Sequence, residues 1–303
     1  MKISVALTTY NGEKYIESQL NSIANQILAV DEVIICDDGS TDNTKQTVLD
    51  FISKNGSNNW HFYENEKQLG FKKNFLSAIQ KCTGDIIFLC DQDDIWLANK
   101  TKIMTEFFAA VPEALVVASS FDFIDGDNLP IEKSEDKNTS NHSLIGFKVE
   151  QGQYCAIDLK TVMHSNISPG CTLAIKKAIA DKFTAISQSE LPHDWELCLL
   201  AAKNNSLYFL NEVLSFYRIH QSNTLGLKGE DSSRLAIAQN KTTAAKALSF
   251  YDSDTALFDM YNAREKALKT KNLSSVLKLN FNKLYRKFLS PHERIGDIVY
   301  TIK

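Results

Sequence analysis

Apolar runs and stretches of helical periodicity alternate along the first half of the chain. The runs predict buried strands at Ile3–Leu7, Val33–Cys36, His61–Tyr63 and Ile86–Cys90. Apolar residues three or four positions apart predict helices between them, at Glu13–Gln26, from Ser40–Asn43 through Ile52, and at Phe71–Lys81. Strands that alternate with helices in this way predict an α/β fold with a mostly parallel sheet flanked by helices.

The second half of the chain has a less regular pattern. Asp125 to Leu144 is polar and charged, and we expect an exposed loop or a mobile flap there. A helix is predicted from His193 to Ala202, and helices again from Arg234 to the end. Short strands are predicted at Val149–Tyr154, Ala174–Ile175, Leu207–Leu210 and Leu214–Tyr217.

Polar motifs follow three of the predicted strands. They are Thr8-Thr9-Tyr10, Asp37-Asp38-Gly39-Ser40 and Asp91-Gln92-Asp93-Asp94. Each motif alone is explained equally well by a turn or a helix N-cap. Because the carboxyl ends of parallel strands meet at one sheet edge, where ligands of such sheets bind, the three together favour a ligand site. Carboxylates beside a buried strand need compensation, and Mg²⁺ or Mn²⁺ with substrate phosphates would supply it.

The composition narrows the class of protein further. With 44% hydrophobic and 23% charged residues among 303, the chain is expected to fold around a sizeable core. A net charge of -4 gives no support to nucleic-acid binding. The six cysteines form no C-x-x-C pair, which predicts buried free thiols and a reducing compartment. The sequence has neither a signal-peptide pattern nor a bilayer-length apolar run, so a cytoplasmic location is expected.

The C-terminal part of the chain is basic. From Asn262 onward, the chain has ten Lys or Arg residues and only three Asp or Glu residues, and apolar residues are interleaved with the bases. Two interpretations remain open for this pattern. A basic amphipathic helix can lie on an anionic membrane, which would make the protein peripheral to the inner face of the plasma membrane. It can equally pack on the preceding domain with its basic face in water.

The order and spacing of these motifs resemble those of the family 2 glycosyltransferases. The resemblance covers roughly the first 220 residues and implies a GT-A fold, a nucleotide-diphosphate sugar donor, a divalent metal (Mn²⁺ or Mg²⁺) and inversion of the anomeric centre. It also implies a nucleotide-sugar-binding half at 1–111 and an acceptor-binding half of the same domain at 112–223. The tail lies outside the resemblance, and its own pattern predicts a helical C-terminal region at 224–303.

The resemblance also implies roles for residues on the donor side. Thr8, Tyr10 and Asp38 would hold the nucleoside, with Asp38 accepting from the N3–H of a uracil or thymine ring. Gly70, Lys73 and Asn74 would belong to the segment that closes over the nucleotide and its phosphates.

The Asp-x-Asp motif would hold the metal. Asp93 is expected to contact the ion, with Asp91 directed to the ribose or to a metal-bound water, while Asp94 caps a helix that begins near Leu97. Arg218 would contact phosphate, and His220 would contact phosphate or metal. A structural histidine is an alternative for His220, and Trp96 is expected in the core or beside the sugar.

His193-Asp194-Trp195 matches the catalytic position of the family. The resemblance makes Asp194 the general base, although a helix N-cap is an alternative for its side chain. Gly170, in a loop that matches the acceptor side, would permit a close backbone approach, and His193 and Trp195 would face the acceptor.

Asp-Gln-Asp-Asp-Ile-Trp together with His-Asp-Trp is most similar to a rhamnosyltransferase-type subgroup. This implies dTDP-L-rhamnose as donor and a growing surface polysaccharide or lipid-linked glycan as acceptor. A UDP-hexose or UDP-HexNAc donor, or a silent nucleotide-sugar-binding protein, remains an alternative. A nicotinamide dehydrogenase or a P-loop kinase is disfavoured, because neither glycine-rich phosphate-binding motif is present.

Overall fold

The computed structural model of the chain describes residues 1–132, 136–220 and 233–302. Ten strands, all joined in one sheet, lie within these ranges. They are β1 (Ile3–Thr9), β2 (Glu32–Asp37), β3 (Trp60–Glu64), β4 (Ile86–Cys90), β5 (Ile95–Trp96), β6 (Val116–Ile124), β7 (Pro130–Ile131), β8 (Tyr154–Ala156), β9 (Leu173–Lys176) and β10 (Leu207–Arg218).

Twelve α-helices accompany the sheet in the described ranges. They are α1 (Ile16–Ala24), α2 (Thr44–Asn55), α3 (Phe71–Lys81), α4 (Lys100–Ala110), α5 (Leu159–Val162), α6 (Lys177–Ile186), α7 (His193–Lys203), α8 (Arg234–Ser249), α9 (Ala256–Lys269), α10 (Leu273–Leu279), α11 (Lys283–Phe288) and α12 (Pro291–Ile302). A 3₁₀ turn at Gly170–Thr172 precedes β9.

The sheet runs in the order β3-β2-β1-β4-β9-β6-β10-β5, with β7 paired to β6 and β8 to β10. The first four strands in this order are parallel to one another, and β10 is parallel to β6. Strand β9 is antiparallel to both of its neighbours, β4 and β6. The predicted mostly parallel sheet is confirmed, and the reversal at β9 makes it a mixed one.

Alternate residues of the strands bury opposite faces of the sheet. On β1, Val5 and Leu7 pack in a cluster with Leu20 of α1, whereas Ala6 packs in a second cluster with Phe75 of α3. Helices therefore cover both faces, as a doubly wound sheet requires. Trp96 is buried in the first cluster, so the prediction that it belongs to the core is confirmed.

Several sequence-based boundaries were wrong. Strand β6 was not predicted, because Ser119 and Ser120 interrupt its apolar pattern although both are buried. The weak strand at Val149–Tyr154 is displaced to β8, and the two strands predicted after residue 206 are one strand with register shifts around Asn211.

The polar segment after residue 124 is only partly an exposed loop. Ser140 and Asn141 are buried, and the Asn141 amide donates to the carbonyl of Ile167 (2.5 Å). Residues 221–232 lie outside the described residues. The end of the segment that carries Arg218 and His220, Tyr217 to Asn223, and the predicted boundary between residues 223 and 224 fall in this range.

The C-terminal region is helical, as predicted, and it packs on the rest of the chain. Ala244 and Leu248 of α8 share a core cluster with Leu197 of α7. No helix in the described ranges combines the length and the apolar character needed to cross a bilayer. All six cysteines are free thiols, and five of them are buried, with Cys155 partly exposed.

Candidate active site

The carboxyl ends of β1 and β2 are locked together by Asp37. Its Oδ2 accepts a hydrogen bond from Thr9 Oγ1 (2.6 Å), and its Oδ1 accepts from the backbone N–H of Ser40 (2.8 Å) and of Gly39 (3.1 Å). Gly39 has φ +82°, a conformation that favours glycine. The first acid of the Asp-Asp-Gly-Ser motif therefore builds the turn.

Asp38, the second acid, holds the segment that leads into α3. Its Oδ1 accepts from the Leu69 N–H (2.7 Å) and from Asn65 Nδ2 (2.9 Å), and its Oδ2 accepts from the Gly70 N–H (2.8 Å). Gly70, with φ +82°, directly precedes α3. Three of about four acceptor positions on the buried carboxylate are thus used within the protein.

Asn74 does not reach the surface of this segment. Its Nδ2 donates to the Cys36 carbonyl (2.9 Å), and its Oδ1 accepts from Asn65 Nδ2 (2.9 Å). The side chain is buried, so the predicted contact with a nucleotide is corrected to a bridge beneath the segment. Lys73, one residue earlier, is exposed.

Tyr10 is the large exposed side chain at the end of β1, with 42% of its surface accessible. Gln92, which sequence reasoning left without a role, clamps the backbone of Tyr10 by accepting from its N–H (2.8 Å) and donating to its carbonyl (3.0 Å). A Cβ at Gly12 would lie 2.2 Å from Gln92 Oε1, so the clamp needs glycine there. Thr8, on β1 and two residues before Tyr10, is buried.

The acidic motif after β4 divides into a partly exposed and a buried part. Asp93 Oδ2 lies 2.8 Å from His220 Nε2, so the structure brings together the two predicted metal ligands. Asp94 is buried and accepts from the Arg218 N–H (3.0 Å). Because α4 begins only at Lys100, the prediction that Asp94 caps a helix near Leu97 was wrong.

Arg218 is buried under the acidic motif. Its Nε donates to the Asp93 carbonyl (2.6 Å), its Nη1 donates to the Asp125 carbonyl (2.8 Å), and its guanidinium lies 4.6 Å from the centre of the Tyr15 ring. The predicted phosphate contact is corrected, because a fully buried guanidinium supports the loop from inside. Arginine suits this task, since its planar fork donates in several directions at once.

Burial is the larger cause of the raised pKa values in the acidic motif, and repulsion between the carboxylates adds to it. Burial, followed by the charges of Asp94 and Asp93, raises the pKa of Asp91 well above its ordinary value. Burial and Asp93 raise the pKa of Asp94 to about 7. Lys100 lies beside them, and burial lowers its pKa to about 8.

These residues fit a hard divalent cation. One ligand atom each of Asp91, Asp94 and Cys171 lies within 4.8 Å of the others, and Asp93 and His220 stand in contact nearby. A cation would relieve the carboxylate repulsion, and carboxylate oxygens are the ligands that Mg²⁺ and Mn²⁺ prefer. Cys171 suits such an ion poorly, because burial raises the pKa of its thiol well above the ordinary value.

Asp194 lies in the first turn of α7, where the helix dipole favours a negative charge. Its Oδ1 accepts from the Trp195 N–H (2.8 Å), and its Oδ2 accepts from Asn166 Nδ2 (2.8 Å). Burial nevertheless raises the pKa of Asp194 to about 6. The turn at Gly170–Thr172 connects Asp194 to the acidic motif, because a Cβ at Gly170 would lie 3.6 Å from Asp194 Cβ and Cys171 has a ligand atom within 4.8 Å of those of Asp91 and Asp94.

The neighbours of Asp194 have different environments. The His193 ring stacks on Phe75 at 3.8 Å between centroids, and burial lowers the pKa of His193 to about 3. A Cβ at Gly170 would lie 2.8 Å from His193 Nε2, so the close backbone approach expected at Gly170 is made to His193. Trp195 is buried and donates to the Val162 carbonyl (2.8 Å), which corrects its predicted acceptor contact to a core position.

The mixed sheet flanked by helices, with acidic residues after β2 and β4, agrees with the GT-A fold that the resemblance implies. Residues 4–168, more than half of the chain, match Glycosyl transferase family 2. The chain therefore belongs to this family, and the resemblance noted in its motifs is confirmed.

Two curated relatives and one solved structure indicate the range of the family. The chain is 28% identical over 249 residues to the dTDP-rhamnosyl transferase RfbG of Shigella flexneri, with coverage of 78% of this chain and 80% of the relative. It is 24% identical over 238 residues to the Escherichia coli UDP-Glc:alpha-D-GlcNAc-diphosphoundecaprenol beta-1,3-glucosyltransferase WfgD, covering 77% and 83%. The structure of S. aureus TarS 1-349 in complex with UDP-GlcNAc matches all of this chain and 82% of that chain, with 19% identity and a TM-score of 0.61.

The chain spans just under two thirds of the length of two other curated relatives, 66% and 65%, both uncharacterized glycosyltransferases. The likeness to TarS shows the fold.

Proposed function

We propose that the protein is an inverting, metal-dependent glycosyltransferase in which Asp194 is the general base. It would move a sugar from a nucleotide-diphosphate donor to a hydroxyl of a growing surface polysaccharide or lipid-linked glycan, at the cytoplasmic side of the membrane. The observation that carries this proposal is the placement of the buried Asp194 carboxylate. A Cβ at Gly170 would lie 3.6 Å from Asp194 Cβ, and the next residue, Cys171, has a ligand atom within 4.8 Å of those of Asp91 and Asp94. A base and an acidic strand end placed in this way suit a single displacement between them.

Asp194 has the properties that a general base needs. With a pKa of about 6 it is mostly ionised at neutral pH, yet basic enough to accept a proton from a sugar hydroxyl as that hydroxyl attacks. Asn166 and the Trp195 N–H each bind one carboxylate oxygen and so fix its orientation. His193, kept neutral by burial, lines the same side without competing for the proton.

The donor would lie over the ends of β1, β2 and β4. Tyr10 offers an exposed ring for the base, with Thr8 behind it, and Asp38 keeps about one acceptor position for a pyrimidine N3–H. Lys73 is exposed next to Gly70 and is available to the diphosphate.

Asp91, Asp93 and His220 would hold the Mn²⁺ or Mg²⁺. The ion supplies charge stabilisation to the departing diphosphate when it is bound. Arg218 and Asn74 act as positioning residues, because their hydrogen bonds hold the loops that carry these groups.

We infer dTDP-L-rhamnose as the first donor to test. The motifs at residues 91–96 and 193–195 support it, as does the similarity to a relative named as a dTDP-rhamnosyl transferase. UDP-hexose or UDP-HexNAc is the alternative, since WfgD is named for UDP-Glc and TarS is titled with UDP-GlcNAc. A silent nucleotide-sugar-binding protein is the second alternative, and the retained base argues against it.

The deciding experiment measures nucleoside diphosphate release from dTDP-L-rhamnose and the common UDP-sugars, with Mn²⁺ or Mg²⁺ and with EDTA. We expect metal-dependent turnover of one donor, abolished by Asp194→Asn. Turnover of UDP-sugars alone would refute the rhamnose assignment. Tight nucleotide binding with no turnover of any donor, even with lipid-linked glycan acceptors added, would favour the silent binding protein.

A further inference from the structure

The C-terminal helices contain a long basic stretch without acids. Between Lys266 and His292 the chain has seven Lys or Arg and no Asp or Glu, although its net charge is -4. The seven are Lys266, Lys269, Lys271, Lys278, Lys283, Arg286 and Lys287. Throughout the described ranges, the ion pairs formed by Lys and Arg involve other residues, so this charge is not neutralised within the fold.

Two large apolar side chains are exposed inside this stretch. Leu277 on α10 has 46% of its surface accessible, and Phe281, four residues later, has 84%. The Phe281 N–H donates to the Lys278 carbonyl (3.1 Å), which continues the turn past the end of α10 at Leu279. Transfer of these two side chains from water into an apolar environment would be favourable, because it removes apolar surface from the solvent.

A cleft of ≈ 430 Å³ opens between α9 and α10, with Lys278, the residue after Leu277, in its lining. Its polar lining has two ammonium groups and four neutral hydrogen-bonding side chains, and the lining contains no carboxylate among the described residues. These residues are Lys266, Thr270, Asn272, Ser275, Lys278 and Asn282. Cationic and hydroxyl donors in this combination suit a phosphate group.

We propose that the C-terminal helices dock on an anionic phospholipid membrane through a basic face that consists of the exposed Leu277 and Phe281 and the exposed bases close to them in the chain, Lys278 and Lys283. Phe281 and Leu277 enter the interface, and the ammonium groups of Lys278 and Lys283 bind lipid phosphates. The charge complementarity selects an anionic surface, because each basic residue near it strengthens binding. The apolar pair selects a membrane over a nucleic acid, because a bilayer interface buries exposed apolar side chains.

The test sediments the full chain with vesicles of phosphatidylcholine alone or mixed equally with phosphatidylglycerol. We expect salt-sensitive binding to the mixed vesicles only. Leu277→Ser combined with Phe281→Ser should lower partitioning by about tenfold or more. Lys278→Glu combined with Lys283→Glu should lower it by about tenfold or more as well, since two charges are reversed.

The matched controls carry the same chemical changes on other surfaces. Leu129→Ser replaces an apolar side chain that is 60% exposed, and Lys182→Glu reverses an exposed lysine on α6. Both should bind vesicles as the wild type does, and all variants should keep wild-type melting temperatures and donor turnover.

Three results would overturn the proposal. They are absence of wild-type binding to mixed vesicles at low salt, unchanged binding of both double variants, and equal losses in the controls. Stronger binding to single-stranded DNA than to vesicles would assign the face to a polyanion. A concentration-dependent dimer that Phe281→Ser abolishes would assign it to a second copy of the chain.

Discussion

Replacement of Asp194 by Asn should separate catalysis from stability. The two side chains have nearly the same shape, and the amide oxygen can still accept from the Trp195 N–H. The variant cannot accept a proton, so we expect kcat to fall by about 10²- to 10⁴-fold, the usual contribution of a general base. The affinity for nucleoside diphosphate should stay unchanged, since the proposed role places Asp194 on the acceptor side.

The raised pKa of Asp194 sets the expected effect on folding. Its shift from 3.8 to about 6 means that the folded state favours the protonated form. The resulting stability is fully present below pH 3.8 and is lost as pH rises to about 6. At pH 7 the buried charge therefore costs the fold about 3 kcal/mol, by the conversion of one pKa unit into about 1.4 kcal/mol.

Asp194→Asn removes this cost, so the free energy of unfolding at pH 7 should rise or remain equal while turnover is lost. Urea unfolding at pH 5 and pH 7 measures the first quantity, and diphosphate release with acceptor present measures the second. An N-cap residue would behave in the opposite way, since losing a cap destabilises by about 1 kcal/mol without removing the chemistry. A destabilised variant with near wild-type turnover would refute the assignment.

Three further changes test neighbouring parts of the site and fold. Asn166→Ala removes a donor that favours the ionised Asp194, so the acidic limb of the kcat–pH profile, near pH 6, should move up by about half a unit or more. Asp93→Ala should weaken Mn²⁺ binding by at least about tenfold, the smallest loss that removal of an outer-shell partner causes. Calorimetry with UDP or dTDP present measures this affinity. Asp297→Asn should destabilise the chain by about 3–5 kcal/mol in urea unfolding, because it weakens the buried ion pair of Arg264.

The sequence alone predicted the bounds of the strands in which a buried apolar run is followed by a polar motif. Strands β1, β2 and β4 were predicted within a residue or two, because apolar residues and then Thr, Asp or Gln mark where each strand leaves the core. Helix α3 was predicted with its observed bounds, Phe71–Lys81, since Gly70 precedes it and its apolar spacing is regular. These local signals follow from periodicity alone.

Whether a polar side chain is buried or exposed could not be predicted from periodicity in the same way. Arg218 and Asn74 have the residue types of phosphate and ribose ligands, yet both are buried and bind backbone carbonyls. Their burial depends on segments far apart in the chain, such as the Asp125 carbonyl that meets Arg218. Gln92 and Lys100 were overlooked for the same reason, although Gln92 lies inside the acidic motif itself.

Glu196 shows why the three proposed parts of the chain work as one unit. It lies two residues after Asp194 on α7, and its buried carboxylate accepts from Lys72 Nζ of α3 (2.6 Å) and from the Tyr251 hydroxyl, which follows α8 (2.7 Å). Helix α7, which carries the proposed base, is thereby tied to α3 and to the C-terminal region through Tyr251. If the C-terminal region docks on the membrane as proposed, it would fix the position of Asp194 relative to the bilayer, where the proposed lipid-linked acceptor would present its hydroxyl.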